Sequence, residues 1–280
     1  MNGSAALALQ DIGLVHPNGH RALQRITLSV ARGARVAIVG PSGAGKTTLL
    51  RVASTGLRAG EGRIELLGLS PWQLSPGPLR ALRGRIGMVH QAPPIPPRLR
   101  VITAVLAGRL GRWSVGRALA SLLVPGDIAG ARAALARLAL ADRLFDRCDR
   151  LSGGQLQRVG IARVLYQAPE LILADEPVSA LDPTLADAAI RELIAQSETT
   201  GAALVASLHA VDLALKWFDR VVGMRAGAVV FDLPAAQLSR AVLQDLYQTE
   251  GGALPTQRPV AAAGDALAGL VASPMPPPCR

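Results

Sequence analysis

Eight residues set the terms for this 280-residue chain: Gly40-Pro41-Ser42-Gly43-Ala44-Gly45-Lys46-Thr47. They fit the pattern G-x-x-x-x-G-K-[ST]. The apolar run Val36-Ala37-Ile38-Val39 precedes them as a strand, and Thr48-Leu49-Leu50-Arg51 follows as the opening of a helix. The chemistry accounts for each residue type. Glycines let backbone N–H groups converge on an anion, and the helix N-terminus adds its positive partial charge. Lys46 reaches the β- and γ-phosphates of a nucleotide as a compact point charge, and Thr47 offers its hydroxyl to Mg²⁺. The plainer alternative is a glycine-rich turn with an exposed lysine. Against it, lysine occurs only at Lys46 and Lys216, and every other basic residue is arginine.

The remaining pattern supports an α/β fold. Arg35–Val39, Leu171–Ala174, Ala203–Ser207 and Arg220–Met224 are short apolar runs that read as buried strands. Helices are expected at Lys46–Leu57, Ile128–Ala139, Gly154–Tyr166 and Thr184–Glu198. Strands alternating with helices predict a mainly parallel sheet. Ala6–Val15, Ile26–Val30 and Arg63–Leu66, with no long helix between the first two, predict an antiparallel flank. No stretch reaches the about 18 uninterrupted apolar residues that spanning a bilayer requires. Cys148 and Cys279 are too far apart and too few for a disulfide framework or a zinc site.

Two further segments carry chemistry. Leu171-Ile172-Leu173-Ala174 ends in Asp175-Glu176, and ligands of open parallel sheets bind beyond the carboxyl ends of the strands. Asp175 is placed to hold Mg²⁺, and Glu176 to polarise an attacking water as general base. By itself, an acidic pair at a strand end is common. Leu151-Ser152-Gly153-Gly154-Gln155 precedes a helical pattern, with Ser152 as N-cap and two glycines exposing N–H groups. That makes a second phosphate cradle, or an ordinary Ser-Gly cap if taken alone.

In this order the segments resemble the nucleotide-binding subunits of ATP-binding cassette (ABC) transporters. Gly40–Thr47 matches their Walker A loop, Leu171–Glu176 their Walker B strand and Leu151–Gln155 their signature. Gln91 matches the Q-loop, Ser179-Ala180-Leu181-Asp182 the D-loop and His209 the switch histidine. The resemblance covers residues 6 to 248. It implies a P-loop NTPase with a mainly parallel RecA-like core sheet, an antiparallel β flank and an α-helical subdomain at about 92–165. Residues 1–250 would form the ATPase domain, and 251–280 a Pro/Ala-rich, disordered tail with a short helix near Val260–Ala272.

The resemblance also implies ATP and Mg²⁺ as ligands, with Gly40 through Thr48, Ser152, Gly153, Gly154 and Gln155 binding nucleotide. Thr47, Gln91 and Asp175 would hold the metal; Lys46, Glu176 and His209 would serve catalysis. Two copies would pair head to tail, so that Ser152 and Gly154 contact the γ-phosphate held by a partner's Lys46. The dimer would act at the cytoplasmic face of the membrane with separate permease subunits, and indirectly with a periplasmic binding protein. Where the family usually has an adenine-stacking aromatic residue, this chain has His16, before Pro17-Asn18-Gly19, a smaller stacking face.

Arg98–Arg112, Ser207–Ala214 and Asp219–Gly227 look like the phosphonate-import ATPases of bacteria, although Val178-Ser179-Ala180 has the general ABC form. Amino-acid import and lipoprotein export are the alternative cargoes. The net charge of +10 also raises a soluble ABC ATPase acting on nucleic acid. Few aromatics (3%) are available for base stacking, and one cassette without long insertions argues against that partner. No acidic residue falls between Glu65 and Asp127, where Arg80, Arg83, Arg85, Arg98, Arg100, Arg109, Arg112 and Arg117 cluster. A solvated arginine face or a surface docked near anionic lipid is expected there.

Overall fold

A computed structural model describes residues 5–248, except 124, together with residue 255. The expected helix near Val260–Ala272, and all of the expected tail but Pro255, lie outside the described residues.

The chain opens with antiparallel strands β1 (Ala5–Val15) and β2 (Arg21–Ala31). Then β3 (Arg35–Val39) runs through the glycine loop into α1 (Lys46–Ala53). Next come β4 (Glu61–Leu66), α2 (Pro76–Gly84) and β5 (Ile86–Val89). A helical stretch follows: α3 (Val101–Leu106), α4 (Val115–Leu123), α5 (Ile128–Ala136) and α6 (Gly153–Gln167). The remainder alternates β6 (Leu171–Asp175), α7 (Pro183–Thr200), β7 (Ala203–Ser207), α8 (Val211–Trp217), β8 (Arg220–Arg225), β9 (Ala228–Pro234) and α9 (Arg240–Leu246).

Two sheets result. The larger has the order β5-β6-β7-β3-β8-β9, parallel except for β9 at its edge; the smaller is the antiparallel flank β2-β1-β4. The central strands are buried on both faces, and their side chains alternate between two cores. Val36, Ile38, Leu171, Leu173 and Val205 join the flank sheet and the Leu49–Leu50 face of α1. Ala37, Val39, Ile172, Ala174 and Leu204 join α3, α5, α6, α7 and α8. This is the period-2 rule of a strand applied to a sheet covered on both sides. It leaves the carboxyl ends of β3, β6 and β7 together at one edge, where the site forms.

Most arginines of the arginine-rich segment are exposed, as a solvated face requires, and several of them also tie helices together by donating to backbone carbonyls and side chains. Arg80 reaches the carbonyls of Leu110 and Trp113 (3.2 and 2.9 Å), and Arg112 those of Gly84 and Ala168 (both 3.0 Å). Arg83 bonds Thr55, and Arg85 pairs with Glu170 at 2.6 Å. Arg109 donates to the Tyr166 carbonyl with its guanidinium 4.2 Å from the Tyr166 ring, and Arg117 lies over Trp113. Arginine serves this purpose because its planar fork spans two acceptors while its stem packs on apolar surface. Two helix ends also fall short: α1 stops at Ala53 rather than Leu57, where Thr55 turns to φ +63°, and α5 stops at Ala136.

Candidate nucleotide site

The glycine loop is built by its neighbours. Gly40 sits at φ +152°, and a Cβ there would lie 2.1 Å from the Met224 carbonyl of β8, so the backbone passes where no side chain fits. Lys46 is almost wholly buried (7% exposed) and turns back over the loop, donating to the carbonyls of Gly40 (2.6 Å) and Pro41 (3.0 Å). The cation thus holds the cradle in shape while standing beside the N–H groups of the α1 terminus. Thr47 donates to Asp175 Oδ1 at 3.0 Å, and Ser207 donates to the same oxygen at 2.8 Å. Three elements, α1, β6 and β7, therefore converge on one carboxylate.

Glu176 follows at φ +43°, an uncommon conformation for a residue with a side chain. Its N–H is accepted by the Ser207 hydroxyl (3.0 Å) and carbonyl (3.1 Å), which fixes where the carboxylate points. Gln91 Nε2 donates to Glu176 Oε2 at 2.8 Å, so the Gln91 amide and the Glu176 carboxylate meet directly. Just before it, His90 is held below its ordinary pKa by burial and then by Arg163, with Asp175 opposing.

A cavity of about 280 Å³ brings together His16, His20, Ser42 through Thr48 and Glu176. His16 and His20 lie nearly parallel, ring centres 6.4 Å apart, across the Pro17–Gly19 turn. His209 is exposed on the segment after β7, and among the described residues Ser152, Gly153, Gly154 and Gln155 do not line this cavity. They stand at the exposed start of α6. Ser152 Oγ accepts from Gln155 N–H (3.3 Å) and Gln155 Oε1 from Ser152 N–H (2.9 Å), a reciprocal capping box. Gly154 packs so that a Cβ would lie 2.8 Å from the Ala180 carbonyl of the D-loop.

One residue joins these parts, and the sequence did not single it out. Gln157, 1% exposed in α6, donates to the carbonyls of Glu176 (3.0 Å) and Gln91 (3.3 Å) and to Ser179 Oγ (3.3 Å). Its Oε1 accepts from Ala180 N–H at 3.0 Å. A polar side chain inside a helix normally signals a solvated face, so no local pattern reveals such a hub.

Asp175 and Thr47 are hard oxygen donors joined by a hydrogen bond, and the Gln91 amide meets the neighbouring Glu176. Among the described residues no group of three or more His, Cys, Asp or Glu is placed to enclose a metal. That donor set fits Mg²⁺, which takes few protein ligands and completes its shell with water and phosphate oxygens. Cys148 is buried, its thiol pushed up to about 11 by burial and by Asp149, and it serves packing alone. No helix among the described residues is long and apolar enough to cross a membrane.

A strand-loop-helix phosphate cradle facing the carboxylate pair that ends β6, two strands away from β3 in the sheet, defines a P-loop nucleotide hydrolase. Residues 23–179 match the ABC transporter family profile. Over 249 residues the chain is 60% identical to the phosphonates import ATP-binding protein PhnC 1 of Cupriavidus necator, covering 89% of each. It is also 60% identical over 245 residues to PhnC 2 of Pseudomonas aeruginosa, covering 88% of this chain and 92% of that one. Among solved structures, the dimeric ATP-binding cassette MJ0796 bound to ADP and Pi superposes with a TM-score of 0.70 at 26% identity, over 82% of this chain and 98% of that one. A nucleotide-free cassette from an ABC transporter gives 0.69 at 25% identity, over 82% and 91%. The chain belongs to the ABC transporter family, and it is an ATPase.

Proposed function

We propose that this ATPase drives phosphonate import. Two copies close head to tail on MgATP at the cytoplasmic face of the membrane, and closure moves a separate permease fed by a periplasmic binding protein. The observation that carries the ATPase half is the bonded chain Thr47–Asp175–Ser207–Glu176–Gln91, which sets an acceptor carboxylate beside a phosphate cradle. The cargo rests on the names of the relatives described above.

In this reading the N–H groups of Gly43 through Thr48 hold the β- and γ-phosphates, and Lys46 exchanges loop carbonyls for phosphate oxygens. Thr47 and Asp175, with Gln91, hold Mg²⁺, which when bound offsets the phosphate charge. Glu176 orients a water in line with the γ-phosphate and takes its proton, and Gln91 keeps that carboxylate aimed. His209 donates to the departing phosphoryl group, while His16 stacks on the adenine. The exposed N-terminus of α6, with Ser152, Gly153, Gly154 and Gln155, completes the site of a second copy. It remains outside its own cavity, and the capping box preorganises it.

The test is ATP-dependent uptake of radiolabelled phosphonate by the reconstituted transporter. Uptake that requires this chain and is lost on Glu176→Gln supports the reading. Uptake of an amino acid instead, or salt-sensitive duplex binding without transport, replaces it with one of the alternatives.

A further inference from the structure

We infer that Tyr247 is a positioning residue for the phosphate loop, its hydroxyl fixing the entry of the loop from the far end of the chain. The inference rests on the reading of Gly40–Thr47 as the triphosphate site. Tyr247 directly follows α9 and is wholly buried. Its hydroxyl accepts from the Gly40 N–H at 3.1 Å, a contact spanning 207 residues of sequence.

Gly40 is the first residue past β3 and the point where the backbone leaves the sheet. Its carbonyl is held by Lys46 Nζ at 2.6 Å while its N–H is held by Tyr247, so the two side chains grip one residue from both ends. The Met224 carbonyl closes a third side, since a Cβ on Gly40 would lie 2.1 Å from it. A shift of Gly40 displaces the acceptor that orients the catalytic lysine.

The phenol is held by elements outside the loop. Leu243 and Leu246 of α9 join the same core as Val39, and Arg225 of β8 donates to the Asp245 carbonyl at 2.8 Å. The C-terminal stretch touches the site region again at Pro255, whose carbonyl accepts from Val211 N–H (2.9 Å), two residues beyond His209. A tyrosine in this place is therefore more than packing: an aromatic ring without the hydroxyl would fill the same volume and leave a buried N–H unsatisfied.

The experiment compares Tyr247→Phe, Tyr166→Phe and Lys46→Ala in the full chain by ATPase kinetics and melting temperature. Tyr166 supplies the control, because its buried ring also carries a bonded hydroxyl, to Asp127 Oδ2 at 2.9 Å, away from the glycine loop. Tyr247→Phe is expected to raise KM for MgATP by about 5- to 10-fold, the scale of one lost hydrogen bond, with a smaller loss of kcat. Tyr166→Phe is expected to lower the melting temperature and leave KM alone. A parental KM in Tyr247→Phe, or an equal rise in Tyr166→Phe, overturns the inference. Tyr247→Met provides a second hydroxyl-free side chain should the phenylalanine variant not fold, with the same expected rise in KM. If Lys46→Ala leaves MgATP affinity unchanged, the phosphate-site reading itself fails; if Lys46→Ala abolishes binding while Tyr247→Phe is silent, only the role of Tyr247 falls.

Discussion

The two glycine-rich helix starts of this chain, at α1 and at α6, are constructed in opposite ways. The glycine loop is locked from several sides: Lys46 spans its carbonyls, Met224 and Tyr247 press on Gly40, and Thr47 is tied to Asp175. The tip of α6 is capped by its own Ser152–Gln155 box, is backed by the Ala180 carbonyl beside Gly154, and presents Ser152 and Gly153 to solvent. The cradle is braced by several other elements although Ser42 and Gly43 reach solvent, and the self-capped tip leaves Ser152 and Gly153 open to something outside the chain. The contrast fits a site of which one half is complete and the other half is lent to a neighbour.

The sharpest break in that comparison is at Glu176. If the loop side alone carries the chemistry, Glu176→Gln should lower the hydrolysis rate by about 10²- to 10⁴-fold while nucleotide stays bound, since only the base is lost. Single-turnover hydrolysis with sizing of the ATP-bound protein checks both parts, the expected product being a stable dimer. Hydrolysis near the parental rate removes Glu176 from the role of base.

A mixing experiment tests whether the two halves belong to different chains. Lys46→Ala damages the cradle and Ser152→Ala the tip. Head-to-tail pairing puts both lesions of a mixed dimer into one site and leaves the other site intact. Mixing the two inactive variants should therefore restore ATPase activity that neither has alone. If the cradle and the tip served the same chain, mixing would restore nothing.

Gln157 is the connection between the halves, and Gln157→Leu should sharpen the difference rather than erase either part. Removing the amide takes the acceptor from the part-buried Ala180 N–H bond and withdraws a donor from the Glu176, Gln91 and Ser179 oxygens. An intramolecular hydrogen bond contributes about 0.5–1.5 kcal/mol net and these partners reach water, so the melting temperature should drop modestly. ATP affinity, set by the loop, should change less than kcat, which depends on the placement of Glu176. Equal losses in both would mean that the hub supports the fold alone.

Much of this was legible in the sequence because the signals are local. The glycine pattern lies within eight residues, the acidic strand end within six, and the antiparallel flank in three runs without an intervening helix. Gln157 and Tyr247 escaped notice because their partners lie far away in sequence, and a glutamine in a helix or a tyrosine near a chain end carries no local mark. The arginines were legible only in part for the same reason. A charge run reads as a solvated face, and Arg80 and Arg112 are exposed, but they and Arg109 also spend donors on carbonyls that only the folded chain brings near. The helix α2, from Pro76 to Gly84, and the edge strand β9 were likewise not anticipated, being short elements that their neighbours stabilise.

The smallest expected effect separates the loop side by its titration. Burial and the Arg163 charge hold His90 below its ordinary value of 6.5, against the pull of Asp175. Above pH 6.5 the imidazole is neutral in the folded and unfolded chains alike, and it contributes no slope. As pH falls below 6.5 the unfolded chain binds its proton first, so stability declines until the folded imidazole also titrates. Glu170, paired first with Arg85, and Asp127, bonded by the Gly130 N–H, have lowered pKa values, so they act in a lower window. Their stabilisation is present above the ordinary carboxylate range and is lost only as pH drops through it. Melting temperature followed from pH 8 to pH 3 should thus fall in two stages, and His90→Gln should flatten the upper stage while leaving the lower one in place. A profile that His90→Gln leaves unchanged would place the upper stage elsewhere, and would remove His90 from the groups that make the loop side sensitive to acid.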